Sequence, residues 1–379
     1  MELKRNVSML LRHPQALPPI LSNMKRSVTV HRDYARDDGY SGNPKGISLT
    51  VTKRCNLNCS MCHYAHSARE DIRLNESKRG EPSSVDLELV GRLVRGWRGP
   101  KPYIALTGGE PTLHRQLLDI VRVVKDADFV CMLVSNGARL SEMAEEIVAA
   151  GIDVVSLSID GSRETHDRIR GVPGTYDKAV AAMRAVVDAR ERRKWGRPLV
   201  FINSAMSNAS VEELHDLVNL ANDVEASGIN FQHLWLQTET MVCAHNDLVP
   251  ELAMQEVYDL DIEARVDDVD RLVDTLGYLK KKHRFVNVFP ALDGQGIKTY
   301  YDRPEAFVSS RPTRCSWLYA TIQPDGRVTQ CKEHVMGNLA DSSFDEIWNG
   351  ESFQEFRRVA RKHERFPICA RCCHYFKDW

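Results

Sequence analysis

The sequence lacks any apolar segment long enough to cross a membrane, and it lacks an excess of charge of either sign. Its opening stretch, MELKRNVSMLLRHPQALPPILSNM, is interrupted by prolines and has no continuous apolar core of the kind a signal peptide needs. Lys and Arg total 51 against 52 Asp and Glu, so the net charge of -1 gives no electrostatic reason to expect nucleic acid or an anionic membrane as a partner. We therefore expect a cytoplasmic protein without a transmembrane segment.

Low-complexity segments and long internal repeats are also missing from this chain of 379 residues. Apolar β-branched runs instead alternate with amphipathic helical patterns. The predicted strands are residues 46–52, 103–109, 129–137, 154–161, 199–207 and 229–237. Near-continuous apolar strands separated by helices predict an α/β fold with a parallel sheet and right-handed crossovers. The periodicity alone does not distinguish a partial barrel from a doubly wound open sheet.

Polar residues follow several of these strands at the point where each strand ends. They are Thr107 to Glu110, Ser135, Asn136, Ser158, Asp160, Asn203, Gln237 and Glu239. Ligands bind at the carboxyl ends of parallel strands in both architectures, so we expect these side chains to form one site. Beyond it we predict a helix at 266–284, an irregular segment at 285–312 and a compact cysteine-bearing tail.

The stretch KRCNLNCSMCHY leaves the first predicted strand with three cysteines, Cys55, Cys59 and Cys62, and no fourth. Ten cysteines in a reducing compartment indicate metal binding or catalysis rather than disulfides. A structural zinc site needs four ligands, so His63 or His66 would have to complete a zinc knuckle. The alternative is a four-iron cluster with one iron open to a chelating small molecule.

The second predicted strand ends in TGGEPTLHR. Gly108 and Gly109 allow a ligand to approach the backbone closely, and Glu110 can receive an ammonium group. Because this turn and the cysteine loop follow consecutive strands, we expect both to act on the same ligand.

The motifs CNLNCSMC, LTGGEPTLH, VSNG, SLSIDG and HDRIRG, in that order, resemble those of the radical S-adenosylmethionine (SAM) superfamily over roughly residues 46–240. The resemblance implies a partial (β/α)6 barrel, similar to a TIM barrel, that holds a [4Fe-4S] cluster. It implies further that SAM chelates the open iron through its amino and carboxylate groups. Reductive cleavage then yields methionine and a 5′-deoxyadenosyl radical, which abstracts a hydrogen atom from a substrate.

The same resemblance assigns roles to individual residues. It implies that the cluster ligands are Cys55, Cys59 and Cys62, and that the methionyl ammonium meets Gly108, Gly109 and Glu110. It implies that the ribose and methionine portions of SAM contact Ser135, Asn136, Ser158 and Asp160, and that Arg170 pairs with the carboxylate. Met61 stands where the family often has an aromatic residue against the adenine, and a methionine can pack there.

The tail carries a second group of cysteines. Cys315 and Cys331 flank the turn Pro324-Asp325-Gly326, which predicts a hairpin that brings the two thiols together. The stretch CARCC adds Cys369 and Cys372. Four such thiolates suit zinc and a fully ligated iron-sulfur cluster equally well.

The segments GRVTQC and GNLADSSFDEIWNG, followed by the C-x2-C pair, resemble the SPASM and twitch extensions of radical SAM enzymes. The resemblance implies one auxiliary [4Fe-4S] cluster held by the four tail cysteines in a small domain of a β-hairpin and a helix. Cys373 is then a structural residue or an alternative to Cys372. The implied division is an N-terminal extension (1–45), a barrel (46–240), a helix with a connecting segment (241–312) and an auxiliary domain (313–379).

An enzyme of this type is expected to oxidise or rearrange a small metabolite with help from the auxiliary cluster, and to receive electrons from a flavodoxin- or ferredoxin-type donor. Cys243 is a candidate hydrogen donor, which would make the enzyme an epimerase instead. The candidate general bases, which the sequence does not rank, are His233, Glu239, His245, Asp247, Tyr300, Tyr301 and Arg314. Two other hypotheses are a maturase that modifies a ribosomal peptide by thioether formation, crosslinking or epimerisation, and a non-enzymatic metal-bearing binding protein.

Overall fold

The computed structural model describes residues 17–62, 82–207, 210–255, 257, 266–331 and 334–376, with backbone only for residues 17–25. His63 and His66, the candidate ligands of a zinc knuckle, lie outside the described residues. The cysteine loop itself is described through Cys62.

The strands of the described residues form a single sheet. They are β1 (Gly46–Thr52), β2 (Tyr103–Gly108), β3 (Val130–Ser135), β4 (Val154–Ser158), β5 (Leu199–Met206), β6 (Gly228–His233), β7 (Val286–Phe289), β8 (Tyr319–Ile322), β9 (Arg327–Gln330) and β10 (His334–Asn338). Their order is β10-β9-β8-β1-β2-β3-β4-β5-β6-β7, and neighbours from β1 to β7 pair in parallel. The predicted α/β fold with a partial barrel is confirmed.

Helices cover the sheet and connect its strands. They are α1 (Leu17–Tyr34), α2 (Leu87–Arg95), α3 (Leu117–Asp126), α4 (Ala144–Ala149), α5 (Arg163–Arg170), α6 (Thr175–Arg193), α7 (Leu214–Asp223), α8 (Glu239–Leu248), α9 (Val269–Lys282), α10 (Gly294–Asp302), α11 (Phe344–Trp348), α12 (Glu351–His363) and α13 (Cys373–Phe376). Across the described part of the chain, no helix combines the length and the apolar composition that crossing a bilayer requires.

Alternate residues of the parallel strands face different surroundings, as the two-residue period of a strand dictates. In β5, Val200 and Ile202 are fully buried beneath the helices, whereas Phe201, Asn203 and Ala205 are half-exposed. The half-exposed set of each strand therefore lines the open interior face of the barrel, and the buried set forms the core.

The sheet contains one parallel strand, β7, that was not predicted. The segment 285–312, predicted to be irregular, contains β7 and α10. The run of apolar residues in β7 is only four residues long and is interrupted by Asn287, so it is too short for periodicity to detect. Conversely, β6 ends at His233 rather than at the predicted Gln237, because the chain leaves the sheet to begin α8 at its N-cap Thr238.

The predicted hairpin of the tail is confirmed. Strands β8 and β9 pair antiparallel, and Gly326 closes their turn with a positive φ of 86° and a hydrogen bond from its N–H to the Gln323 carbonyl at 3.0 Å. Strand β8 also pairs in parallel with β1, with Ile47 opposite Ala320. The tail therefore extends the sheet of the barrel instead of standing apart from it.

The N-terminal segment packs on the tail. Arg26 forms an ion pair with Asp33 at 2.6 Å and donates to the carbonyl of Trp317 at 2.7 Å. The Trp348 indole N–H donates to the carbonyl of Gly42 at 2.8 Å. Hydrogen bonds thus hold residues 26–42 to the tail, although the two segments lie near opposite ends of the sequence.

Candidate functional site

The cysteine loop after β1 is fastened to the end of helix α5. The N–H of Asn58 donates to the Arg170 carbonyl at 3.1 Å, and the N–H of Ser60 donates to the Ile169 carbonyl at 2.9 Å. Gly171 follows with a positive φ of 69°, where a Cβ would lie 2.6 Å from the Asn58 carbonyl oxygen. The last turn of α5 therefore fixes the backbone between the cysteines.

The three thiols of this loop lie close enough to influence one another. Burial raises the pKa of Cys55 to about 11, and the neighbouring Cys59, Glu110 and Cys62 add to the increase. Burial also raises the pKa of Cys59, against the effect of the Arg170 guanidinium. Convergent thiols on one loop fit the three-thiolate ligand set of a cluster with an open iron.

No three His, Cys, Asp or Glu side chains of the described residues surround a single point as ligands of one metal ion would. In an iron-sulfur cubane each thiolate binds a different iron, so its ligands are spaced around a body rather than around a point. Because metal-binding thiols must lose their protons, a cluster bound by these thiols would release protons.

Arg170 links the cysteine loop to the fourth strand. Its Nη2 forms an ion pair with Oδ2 of the fully buried Asp160 at 2.6 Å, and its Nη1 donates to the Cys59 sulfur at 3.7 Å. The other oxygen of Asp160 accepts a hydrogen bond from the N–H of Ala205 at 2.9 Å. Asp160 and Arg170, both assigned to SAM by the family resemblance, thus bind each other, and Arg170 also binds the cysteine loop.

The two glycines at the end of β2 press against the start of the cysteine loop. The N–H of Gly109 donates to the Thr52 carbonyl and that of Glu110 to the Arg54 carbonyl, both at 2.8 Å. Gly108 has a φ of 128°, and a Cβ on Gly109 would collide with the carbonyl oxygen of Arg54. The glycines are therefore required for contact between two backbone segments, and both remain half-exposed.

Glu110 is 1% exposed and accepts hydrogen bonds from residues at the end of β3. Its Oε1 accepts from the Thr112 N–H (3.0 Å), the Thr112 hydroxyl (2.7 Å) and the Ser135 hydroxyl (2.7 Å), and its Oε2 accepts from the Asn136 N–H (2.7 Å). Burial raises the pKa of Glu110, while these donors favour its charged form. The predicted convergence of Glu110, Ser135 and Asn136 is present in the structure.

Asn56 was not singled out by the sequence, yet it completes this network. The Asn136 side-chain amide donates to Oδ1 of Asn56 at 2.9 Å, which joins the end of β3 to the cysteine loop. An asparagine in a loop is too common to signal such a role. Its partner becomes apparent only when the strand ends are brought together.

A row of amides crosses the interior face of the barrel at one register level. Ser158 lies opposite Asn203, Asn203 opposite Asn230, and Asn230 opposite Asn287. Asn230 donates to Asn203 at 2.8 Å, and Asn287 donates to Asn230 at 3.1 Å. Asn230 and Asn287 were missed by the sequence reasoning, although each occupies an interior-facing position of its strand.

The tail brings a second set of thiols together. The pKa of Cys372 is well above its ordinary value because of a hydrogen bond with Cys373, burial, and the nearby Cys369 and Cys315. Burial raises the pKa of Cys369 as well. Cys331 is half-buried just after β9, with a positive φ of 45°. Cys373, which the sequence left as a spare residue, belongs to this group.

The remaining catalytic candidates are scattered. Cys243 is exposed on α8, whereas His245 of the same helix is buried with its Nε2 2.8 Å from the Leu252 carbonyl oxygen. Buried His233 contacts half-buried Tyr301, with 2.8 Å between Nδ1 and Oη. Burial lowers the pKa of His233 to about 3, so its imidazole is neutral.

Two sequence families match the chain. A family model described as the Radical SAM superfamily matches residues 49–220. A second, SPASM, described as an iron-sulfur cluster-binding domain, matches residues 314–373. The two ranges contain the two groups of thiols.

Two relatives match along most of the chain. The AdoMet-dependent heme synthase of Methanosarcina barkeri is 25% identical over 331 residues, which cover 86% of this chain and 88% of that protein. The Fe-coproporphyrin III synthase of the same organism is 27% identical over 355 residues, covering 86% of this chain and 80% of that protein.

Solved structures with a similar fold include two that contain bound SAM. SuiB of Streptococcus suis bound to S-adenosylmethionine is 14% identical with a TM-score of 0.60, and the match covers 89% of this chain and 72% of that one. The protein anSMEcpe with bound AdoMet is 17% identical with a TM-score of 0.56, and the match covers 82% of each chain. At these identities the likeness concerns the fold alone.

Proposed function

The chain belongs to the radical SAM superfamily and carries a C-terminal SPASM iron-sulfur domain, and on this premise we propose that it oxidises or rearranges a small organic substrate by hydrogen-atom abstraction. The family implies a SAM-binding [4Fe-4S] cluster and an auxiliary cluster, as the sequence predicted. When bound, such clusters supply the electron that cleaves SAM and a site that can take up an electron from the substrate.

We assign the SAM-binding cluster to Cys55, Cys59 and Cys62. The observation that carries this assignment is the proximity of the three thiols: Cys59, Cys62 and Glu110 all add to the raised pKa of Cys55. The loop that holds them is hydrogen-bonded to α5. The auxiliary cluster is assigned to Cys315, Cys331, Cys369 and Cys372, with Cys373 beside Cys372 as the alternative ligand.

The chain's own residues would orient SAM from the strand ends. Gly108 and Gly109 are half-exposed, so their carbonyl oxygens are assigned to the methionyl ammonium. Buried Glu110 holds this turn in place through its four hydrogen bonds. Ser158 is half-exposed on the interior face and is assigned to the ribose, while Arg170 positions Cys59. Met61, in the cysteine loop, is assigned to packing against the adenine.

A carboxylate-bearing tetrapyrrole is the substrate class that we favour. The relatives that match along 86% of the chain are named for haem and coproporphyrin synthesis. The interior face offers the amide row of Asn203, Asn230 and Asn287, which can form hydrogen bonds to polar substituents of a bound molecule. Oxidation of a side chain of such a compound begins with removal of one hydrogen atom, as the proposed function requires.

The first experiment tests the radical SAM function itself. After anaerobic reconstitution we expect about eight irons per chain and formation of 5′-deoxyadenosine from SAM under a strong reductant. C55A/C59A/C62A should lose SAM cleavage and about half of the iron, whereas C369A/C372A should lose about half of the iron only. A colourless, zinc-loaded wild-type protein that leaves SAM intact would overturn the proposal.

The second experiment tests the substrate class. We expect Fe-coproporphyrin III, or a closely related carboxylate-bearing tetrapyrrole, to be consumed in step with 5′-deoxyadenosine formation. SAM cleavage without consumption of any tetrapyrrole would reject the substrate class but keep the radical function. The peptide maturase alternative would then be tested with peptides encoded beside the gene.

The compartment and the electron donor are also proposals. All ten cysteines are free thiols, which suits a reducing cytoplasm. A flavodoxin or ferredoxin should replace the chemical reductant in the SAM cleavage assay. If neither protein supports turnover, the donor belongs to another class.

A further inference from the structure

The amide row of Asn203, Asn230 and Asn287 has a direction. Nδ2 of Asn287 donates to Oδ1 of Asn230 at 3.1 Å, and Nδ2 of Asn230 donates to Oδ1 of Asn203 at 2.8 Å. Asn230 therefore both accepts and donates within the row. The amide N–H2 group of Asn203 is left at the end of the row. It donates to none of the described residues, although its side chain is half-exposed on the interior face of the barrel.

The opposite end of the row explains this direction. Oδ1 of Asn287 is buried, and it accepts no hydrogen bond within the described part of the chain. If all three amides were turned around, the N–H2 group of Asn287 would occupy that buried place without a partner. Unpaired N–H groups are rarer in protein interiors than under-satisfied carbonyl oxygens. The direction that leaves the free donor at Asn203 is therefore favoured.

The free donor lies beside residues assigned to SAM. Asn203 is the register partner of Ser158, which is assigned to the ribose. The Asn203 carbonyl accepts from the N–H of Ile159 at 3.0 Å. At the next interior position of β5, the N–H of Ala205 donates to Oδ1 of Asp160 at 2.9 Å. Under the proposed function the reacting carbon of the substrate lies next to the ribose of SAM, so Asn203 is placed to bind a group close to that carbon.

We propose that Asn203 determines substrate specificity by donating a hydrogen bond to a carboxylate on the tetrapyrrole side chain that loses the hydrogen atom. A carboxylate only accepts hydrogen bonds, so it fits a row that ends in a donor. Asn230 is a positioning residue, because it holds the Asn203 oxygen and so turns the Asn203 nitrogen toward the barrel interior. Asn287 holds Asn230 in the same way. These roles rest on the tetrapyrrole substrate class given under the proposed function.

The test measures binding of Fe-coproporphyrin III to the reconstituted full chain, with SAM present and without reductant, by titration followed by porphyrin absorbance. N203A removes the donor, and N203D replaces it with an acceptor of the same shape. We expect N203A to weaken binding about tenfold, since a hydrogen bond to a charged group is lost, and N203D to weaken it further. Iron content, and SAM cleavage under reductant without the porphyrin, should stay at the wild-type level in both variants.

N230D tests the direction of the row. The carboxylate that it introduces accepts hydrogen bonds but cannot donate to Oδ1 of Asn203, so the Asn203 carboxamide should turn its nitrogen toward position 230 and its oxygen toward the interior. We expect N230D to weaken binding as strongly as N203A. Q232E is the matched control, because Gln232 is the next interior residue of β6, is exposed, and forms no hydrogen bond with the described residues. It adds the same charge and should weaken binding much less.

The outcomes separate this inference from the proposed function. If the wild type cleaves SAM but binds no tetrapyrrole, the substrate class is wrong and the inference falls with it. If the wild type binds and consumes the tetrapyrrole and N203A binds it equally well, the inference alone is overturned. Should N203A not fold, N203D provides the same test, and binding at the wild-type level in that protein overturns the inference equally.

Two further results would contradict the assigned roles. Loss of SAM cleavage in N203A would overturn the substrate contact, because Asn203 would then serve SAM. Equal weakening of binding by Q232E and N230D would overturn the positioning role of Asn230, because negative charge in the barrel would then explain both effects.

Discussion

Gly109 joins the end of β2 to the cysteine loop at a place that has no room for a side chain. In G109A the new methyl group would collide with the Arg54 carbonyl, so the loop must move away from the strand end. We expect this variant to bind about half of the wild-type iron and to lose SAM cleavage. Iron analysis and a 5′-deoxyadenosine assay measure the two effects.

Gly277 provides the matched control for that substitution. It lies inside helix α9, and a Cβ there would meet no atom within 4 Å. G277A should keep its iron and its SAM cleavage, and it should raise the free energy of unfolding by about 0.5–1 kcal/mol because alanine favours the helix. If G109A behaves like G277A, the close contact between strand and loop is unimportant.

His233 should make the free energy of unfolding of the protein depend on pH. Its pKa falls from an ordinary value near 6.5 to about 3 in the folded protein because it is buried. The unfolded chain therefore binds the proton more tightly, and stability is lost as the pH falls below about 6.5. Between pH 7.5 and 5.5, denaturant unfolding of H233N should show a loss that is about 1 kcal/mol smaller than that of the wild type. Equal losses would mean that the pKa of His233 is the same in the folded and the unfolded protein.

Single residues of the site differ in how far the sequence could predict them. Glu110, Ser135 and Asn136 were predicted to meet because they follow neighbouring parallel strands, and they do. Asn230 and Asn287 were not predicted, since their hydrogen bonds depend on the register of β5 to β7. Register describes how two strands are aligned with each other, so it cannot be read from the sequence of either strand alone.

At the scale of elements, the last turn of α5 joins β4 to the cysteine loop through Arg170. R170M would leave Asp160 buried without its cation, which costs about 3–5 kcal/mol in the free energy of unfolding. Adding D160N should restore part of that loss, and a double-mutant cycle by urea denaturation would show the coupling. An R170M protein as stable as the wild type would show that the ion pair contributes little to stability.

The strands themselves were largely predictable. Predicted strands 46–52 and 199–207 correspond to β1 and β5 within one residue, because their apolar residues form long uninterrupted runs. The short strand β7 was missed because its apolar run is only four residues long and is interrupted by Asn287. The parallel pairing of β8 with β1 joins residues as far apart in the chain as Ile47 and Ala320, and local pattern carries no information about such contacts.

At the scale of the molecule, the barrel and the tail share one sheet and should unfold together. Strand β8 is hydrogen-bonded to β1, and Arg26 and Trp348 connect the N-terminal segment to the tail. We expect a single denaturant transition, with far-ultraviolet circular dichroism and tryptophan fluorescence giving the same midpoint. Two separated transitions, or a stable proteolytic fragment corresponding to residues 313–379, would show that the two parts fold independently.

The pairing of β8 with β1 also fixes a length. Cys55 follows the carboxyl end of β1, Cys315 precedes the amino end of β8, and the two strands run in the same direction. The seven residues of β1 measure about 20 Å at the usual rise per strand residue. On the ligand sets that we propose, β1 therefore sets the distance between the two clusters, and a molecule that reacts with both must reach from one end of that strand toward the other.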